Sequence, residues 1–208
     1  SSFLIRGSGV DTKKFNPSRH NSQIEFNNPI KILFPSRLIL EKGIMELIEA
    51  CELLWQERFN FNLLIAGSTN DSNRSSIDKA TLKSIKNNKR INCLGHVRDM
   101  KSLYEEVDIV VLPSWREGLS RSLIEAAAME KPIITTNVTG CSQIIDHGVN
   151  GLLVPIHCPQ SLMLAMKFLF NNPLLSKKFG ISVRKKIIKN FNTNLINSKT
   201  LELYNKFI

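Results

Sequence analysis

Short apolar runs alternate along this chain with longer amphipathic stretches. Residues 31–35, 61–66, 91–94, 107–112, 132–136 and 151–154 are brief runs rich in apolar residues, and each reads as a strand, the first of them buried. Between the first two, residues 42–58 carry Ile44, Leu47, Ile48, Cys51, Leu54 and Trp55 at helical spacing, so one face is apolar. A second helix is predicted over 75–87, opened by Ser and Asp. Shorter ones are predicted over 100–107 and 123–130, with a helical turn over 141–146 that His147-Gly148 ends. From about Pro159 the pattern is helical to the end, with breaks near 171–173 and 191–194. Strands that are apolar on both faces and alternate with helices predict an α/β fold, a Rossmann-like parallel sheet with helices on both faces and a helical C-terminus. Residues 16–29 are polar and Asn-rich and read as a surface loop; no repeat or low-complexity segment is present.

Right-handed crossovers would bring the C-terminal ends of all the strands to one edge, where ligands of such sheets bind. Four loops leave the predicted strands there: Ser36-Arg37 running on to Lys42-Gly43, Gly67-Ser68, Gly95-His96-Val97, and Glu117 to Ser122. The last is the most informative. After an apolar strand, Pro113-Ser114 opens a turn that holds Glu117, Gly118, Leu119, Ser120, Arg121 and Ser122, and a helix follows that carries Glu125. A small-residue turn entering a helix aims unpaired N–H groups and the positive end of the helix dipole at one point, which suits a phosphate. Carboxylates beside a phosphate site are costly unless they hold something else, and sugar hydroxyls are the natural candidates. Arg37 and Lys42 add a bidentate fork and a point charge after the first strand. A lysine at a helix start opposes the dipole, and a bound diphosphate would account for Lys42.

Composition narrows the class. The 208 residues are 42% hydrophobic and 22% charged, an ordinary globular profile large enough for one core. No run approaches the roughly 18 apolar residues that span a bilayer. The first ten residues lack the features of a signal peptide, and the chain begins with Ser, as a processed or partial chain does. Cys51, Cys93, Cys141 and Cys158 stand apart and read as reduced thiols of a cytoplasmic protein. His20, His96, His147 and His157 are dispersed, without zinc-site spacing. The net charge of +10, with basic clusters at Lys83–Arg90 and Lys177–Lys189, favours anionic partners. Aromatic residues are not interleaved with the basic ones and no nucleic-acid-binding motif is present, so no nucleic-acid partner is expected.

Taken together, Arg37 through Lys42-Gly43, Gly95-His96-Val97, and Glu117-x7-Glu125 followed by Lys131-Pro132 resemble the C-terminal donor-binding domain of retaining GT-B glycosyltransferases of family 4. The likeness runs from Gly7-Ser8-Gly9-Val10-Asp11, similar to the segment between the two domains, to about residue 190. The Arg-Glu-Gly-Leu-Ser-Arg variant resembles enzymes that build bacterial surface polysaccharides on a lipid carrier. The resemblance implies that residues 1–29 are linker and loop, that 30–208 form the nucleotide-sugar domain, and that an N-terminal acceptor domain of similar size is absent from the chain.

It also implies site roles. Glu117 would contact the donor sugar and Glu125 the ribose hydroxyls. N–H groups from Leu119 to Ser122, with Arg37 and Lys42, would hold the diphosphate. Gly95, His96 and Val97 would flank the base, and Gly67 is a further donor-binding candidate. Two positions depart from the family: Ser120 stands where Gly is usual, and Gln143 where Glu is common. The expected reaction is metal-free retaining transfer from a nucleoside-diphosphate sugar to a glycan or polyprenyl-linked acceptor. UDP is the default nucleotide because it is common in the family, and no cofactor is expected. An Asp-x-Asp sequence able to chelate Mg²⁺ is missing. The expected location is the cytoplasm, with peripheral contact at the inner membrane face through the Lys177–Lys189 cluster. Rival readings are a nucleotide-sugar-binding module without transfer, a sugar-nucleotide epimerase of the same architecture, and a flavodoxin-like regulatory module. The last would need an acidic cluster after the first strand, which this chain lacks.

Overall fold

The computed structural model of the chain describes residues 7, 9–18, 26–69 and 75–205. Six strands form one parallel sheet: β1 (Ile30–Phe34), β2 (Phe61–Ala66), β3 (Ile91–Gly95), β4 (Ile109–Leu112), β5 (Ile133–Thr136) and β6 (Leu152–Val154), in the order β3-β2-β1-β4-β5-β6. Every residue of β4 and β5 is buried, as expected of central strands covered on both faces. Eight helices complete the described residues: α1 (Ile44–Gln56), α2 (Lys79–Asn87), α3 (Met100–Glu106), α4 (Arg121–Ala128), α5 (Thr139–Ser142), α6 (Pro159–Asn171), α7 (Pro173–Asn190) and α8 (Thr193–Tyr204). Right-handed crossovers place α1 and α2 on one face and α3, α4 and α5 on the other. The helix α6 returns to pack on α1, and α7 packs on α4.

The predicted elements are present, and the boundaries that moved have local causes. The first helix does not begin at Lys42. A 3-10 turn (Leu40–Lys42) comes first, and Gly43 at φ 74° redirects the chain into α1. The second helix starts at Lys79 because the Asp78 carboxylate accepts hydrogen bonds from the Ala80 and Thr81 amides. The helix predicted from 123 starts two residues earlier, at Arg121, and the one predicted over 141–146 is a single turn from Thr139 to Ser142. Part of the loop predicted over 16–29, together with Ser8 and His20, lies outside the described residues.

Two basic side chains tie the layers together. Lys131 donates from Nζ to the Val107 carbonyl at 2.8 Å, and burial pushes its pKa down. Arg184 on α7 donates to the carbonyls of Ala128 and Phe15 and faces Glu130, which joins the N-terminal segment to the end of α4. That segment also pairs with the α7–α8 break: the Val10 amide donates to the Phe191 carbonyl at 2.8 Å, and the Thr193 amide to that of Val10 at 3.1 Å. Among the described residues, no helix is long and apolar enough to cross a membrane.

Candidate functional site

The strand order reverses between β1 and β4, so the loops leaving these two strands diverge to opposite faces and open a crevice at the sheet edge. One wall is residues 35–43, from β1 to the start of α1. The other is residues 113–120, from β4 to the start of α4. Two glycines let these walls close up. A Cβ on Gly43 would lie 2.0 Å from the Pro113 carbonyl oxygen, and one on Gly140 would lie 1.3 Å from that of Gly118. The β4 loop is thus wedged between the first turn of α1 on one side and α5 on the other. Two threonines of β5 hold its backbone: Thr135 Oγ1 donates to the Leu112 carbonyl at 2.7 Å, and Thr136 Oγ1 donates to that of Ser114.

Within this wedge, Glu117 meets Lys42. Lys42 Nζ lies 2.5 Å from Glu117 Oε1, and Ser114 Oγ donates to the same oxygen at 3.0 Å. The two side chains are only 18% and 11% exposed, so the pair is far less screened than a surface bridge. Lys42 ends the 3-10 turn two residues before α1 begins, and its charge is answered by Glu117 across the crevice.

The α4 N-terminus adjoins this pair. Ser120 precedes the helix at φ −70°, ψ 113°, and no side chain caps the helix start. Since φ is negative, serine takes this position without strain, which explains how it replaces the family's usual glycine. Its Oγ lies 3.3 Å from Ser122 Oγ. Nothing lies within 4 Å of where a Cβ on Gly118 would sit, so that side of the turn is open. Leu119, half-buried, packs against Gly7 of the N-terminal segment.

One turn into α4, Glu125 is 8% exposed. Its Oε1 accepts from Arg121 Nε at 2.9 Å, a donor whose own side chain is 80% exposed. Tyr104 is fully buried beneath and donates from its hydroxyl to the Ser122 carbonyl at 2.9 Å. Burial, with Glu125 nearby, raises the Tyr104 pKa well above its ordinary value. The phenol therefore stays neutral and acts as a strut under the helix start.

The remaining predicted residues lie further along the edge. Arg37 is exposed after β1 and makes no ion pair among the described residues. Gly67 ends the β2 segment against the Ser36 carbonyl. Gly95 ends β3 at φ 65° with open space around it, and His96 beside it is exposed while Val97 is half-buried. β3 is two strands from β1, so this loop stands about 10 Å from the loop that follows β1 at the usual strand spacing. The edge therefore presents cations and an uncapped helix start at one end and a glycine-hinged loop at the other. Gln143 is exposed at the end of α5.

Three site residues were missed from sequence. Trp115 donates from Nε1 to Glu46 Oε1 at 2.7 Å, and its amide donates to the Glu41 carbonyl at 2.9 Å. His157, in the left-handed region at φ 53°, brings Nδ1 to 3.1 Å from the same Glu46 oxygen and its ring to 4.3 Å from the Trp115 ring. The other Glu46 oxygen is buried without a partner. These side chains clamp the loop that carries Glu117 onto α1 and the segment before α6. Glu46 lies off the apolar face of the first helix, so sequence period carried no signal for it. Among the described residues, no three His, Cys, Asp or Glu side chains form a metal-holding group.

The sequence model described as "Glycosyl transferases group 1" matches residues 16–186. The chain belongs to this family. Among curated relatives, the capsular polysaccharide biosynthesis glycosyltransferase CapM of Staphylococcus aureus is 29% identical over 204 residues, covering 96% of this chain and 53% of CapM. The chain thus spans about half the length of the group 1 relatives it matches. A solved structure of S. aureus TarM in complex with fondaparinux, alpha-GlcNAc-glycerol and UDP is 27% identical with a TM-score of 0.74, covering 91% of this chain and 38% of TarM. The C-terminal domain of a group 1 protein from Francisella tularensis, solved by itself, aligns over 88% of this chain and 99% of its own length. Its TM-score is 0.76 at 23% identity, a likeness of fold. The GT-B half-fold expected from the resemblance is therefore the fold of this group 1 chain.

Proposed function

We propose that this chain is the donor-binding half of a retaining glycosyltransferase that takes a sugar from a nucleoside diphosphate, by default UDP, and passes it to a glycan or lipid-linked acceptor in cell-surface polysaccharide synthesis. The observation that carries this reading is the Lys42–Glu117 pair beside the uncapped start of α4, at the reversal of the sheet order. It joins a cation and helix amides suited to phosphate with a carboxylate suited to hydroxyls. The UDP seen with TarM and the polysaccharide role named for CapM support the choice of donor and pathway.

In this reading the nucleotide lies along the sheet edge. The base rests by Gly95, His96 and Val97, Glu125 accepts from the ribose hydroxyls, and the diphosphate meets α4 from Leu119 to Ser122. As the glycosidic bond breaks, negative charge grows on the diphosphate. Lys42, Arg37 and the α4 amides stabilise that charge in place, without a metal. Lys42 turns part of its hydrogen bonding from Glu117 to phosphate, which leaves Glu117 to hold a sugar hydroxyl. The acceptor attacks from the face the leaving group departs, so the anomeric configuration is kept, and the departing phosphate oxygen takes the acceptor proton.

The acceptor site lies outside the donor crevice, and residues 30–208 supply donor binding rather than acceptor recognition. The enzyme works in the cytoplasm at the inner membrane face. A thermal-shift panel of nucleotides and nucleotide sugars tests the donor assignment. A nucleoside diphosphate at a hundred times its dissociation constant stabilises the fold by roughly 2.7 kcal/mol, raising Tm by about 5–10 °C in a domain this size. Nucleosides and inorganic phosphate give much less. No shift with any nucleoside diphosphate overturns the reading.

A further inference from the structure

The helix α7 faces outward with an unusual surface. Its exposed residues are Leu174, Lys178, Ile181, Lys185, Ile188 and Lys189 only. The first five are spaced four, three, four and three apart, so they form one seam in which aliphatic and ammonium side chains alternate. Leu174, Ile181 and Ile188 are 58%, 36% and 44% exposed. At 1.5 Å rise per residue the seam runs for about 20 Å. The 18 residues of α7 contain no acidic side chain.

The other cations of α7 are used elsewhere. Arg184 faces inward to the Ala128 and Phe15 carbonyls, and Lys186 pairs with Asp146 at 2.8 Å. Lys178, Lys185 and Lys189 make no ion pair among the described residues.

We propose that this seam docks on the surface of an anionic lipid bilayer, with Leu174, Ile181 and Ile188 entering the headgroup boundary and the lysines paired with lipid phosphates. Charge complementarity selects this occupant. A second copy of the chain would set lysine against lysine across the seam. A partner helix would have to bury Lys178 and Lys185 at core positions of its packing. A bilayer accepts both kinds of side chain at once, because lysine stems lie along apolar surface while their ammonium groups stay at the headgroups. The seam lies outside the donor crevice, so the proposal stands or falls separately from the donor assignment.

Flotation of the chain with phosphatidylglycerol-containing vesicles, and with phosphatidylcholine vesicles, at low and high salt tests it. The expected result is binding to the anionic vesicles at low salt that weakens at high salt. The K178Q/K185Q/K189Q variant should bind roughly a hundredfold more weakly, about fivefold per lysine. A variant with Ile181→Ser and Ile188→Ser should also bind more weakly while keeping its salt dependence, and K83Q/K86Q/K89Q, altered in the other basic cluster, should bind as the parent does. Three results overturn the proposal: no binding to anionic vesicles at low salt, binding that follows the Lys83 cluster instead, or self-association in sedimentation that the α7 substitutions abolish.

Discussion

Lys42 and Glu117 neutralise each other across the crevice, and this makes their substitution unequal to that of Arg37. Lys42→Ala removes a phosphate contact and also leaves a carboxylate that is 11% exposed without its cation. Arg37→Ala removes an exposed charge alone. Both should weaken UDP more than uridine, and Lys42→Ala should cost more, by at least tenfold in affinity, since a hydrogen bond to a charged group is worth roughly 1.5–3 kcal/mol. Calorimetry with the two ligands checks this, and equal losses for UDP and uridine would remove both residues from the diphosphate. Glu125 offers a cleaner test of the ribose contact. Its salt bridge goes to a largely exposed arginine and adds little to stability. Glu125→Ala should therefore leave Tm within a few degrees of the parent and lower nucleotide affinity about tenfold. Unchanged affinity would separate Glu125 from the ligand.

At the scale of elements, sequence period and turn chemistry located all six strands: the central ones are apolar runs covered on both faces, while β3, at the edge of the sheet, is a mixed run with Asn92 and Leu94 exposed. The candidate edge was legible for the same reason: Arg37, Lys42, Gly95 and Glu117 each follow a strand. What sequence could not give was the fit between loops. That Gly140 lies against Gly118 is a contact between α5 and the β4 loop, and no periodicity encodes it. Glu46, Trp115 and His157 were missed because their meeting depends on three separate connections converging. Lys42 was placed at a helix start, and the left-handed turn at Gly43 moved it outside that helix. The Gly140 contact has a measurable cost. Gly140→Ala forces a Cβ into the Gly118 carbonyl, and overpacking of this kind costs about 1–3 kcal/mol. Tm should fall by roughly 2–12 °C, and UDP affinity should fall with it because the displaced backbone carries Glu117. Gly148→Ala, where no atom crowds the site but φ is 73°, should lower Tm through backbone strain alone and leave UDP affinity unchanged. Calorimetric affinities and melting curves of both variants decide the matter.

At the scale of the whole molecule, the two walls of the crevice are interlocked. A loop held by Gly43 on one side, Gly140 on the other, Thr136 beneath and Trp115 along its length has no free hinge. It cannot fold down over a bound sugar as a lid would. In the proposed reading, shielding the bond-breaking step from water falls to a body other than this loop, and the N-terminal segment, anchored through Gly7 against Leu119 and Val10 beside Phe191, is the candidate pivot. The donor half would act as an anvil, fixed before and after loading. Amide hydrogen exchange makes the distinction: residues 113–118 should exchange slowly in the free chain and change little when UDP binds, whereas a loop that is fast when free and slow when loaded would mean that this half closes on its own.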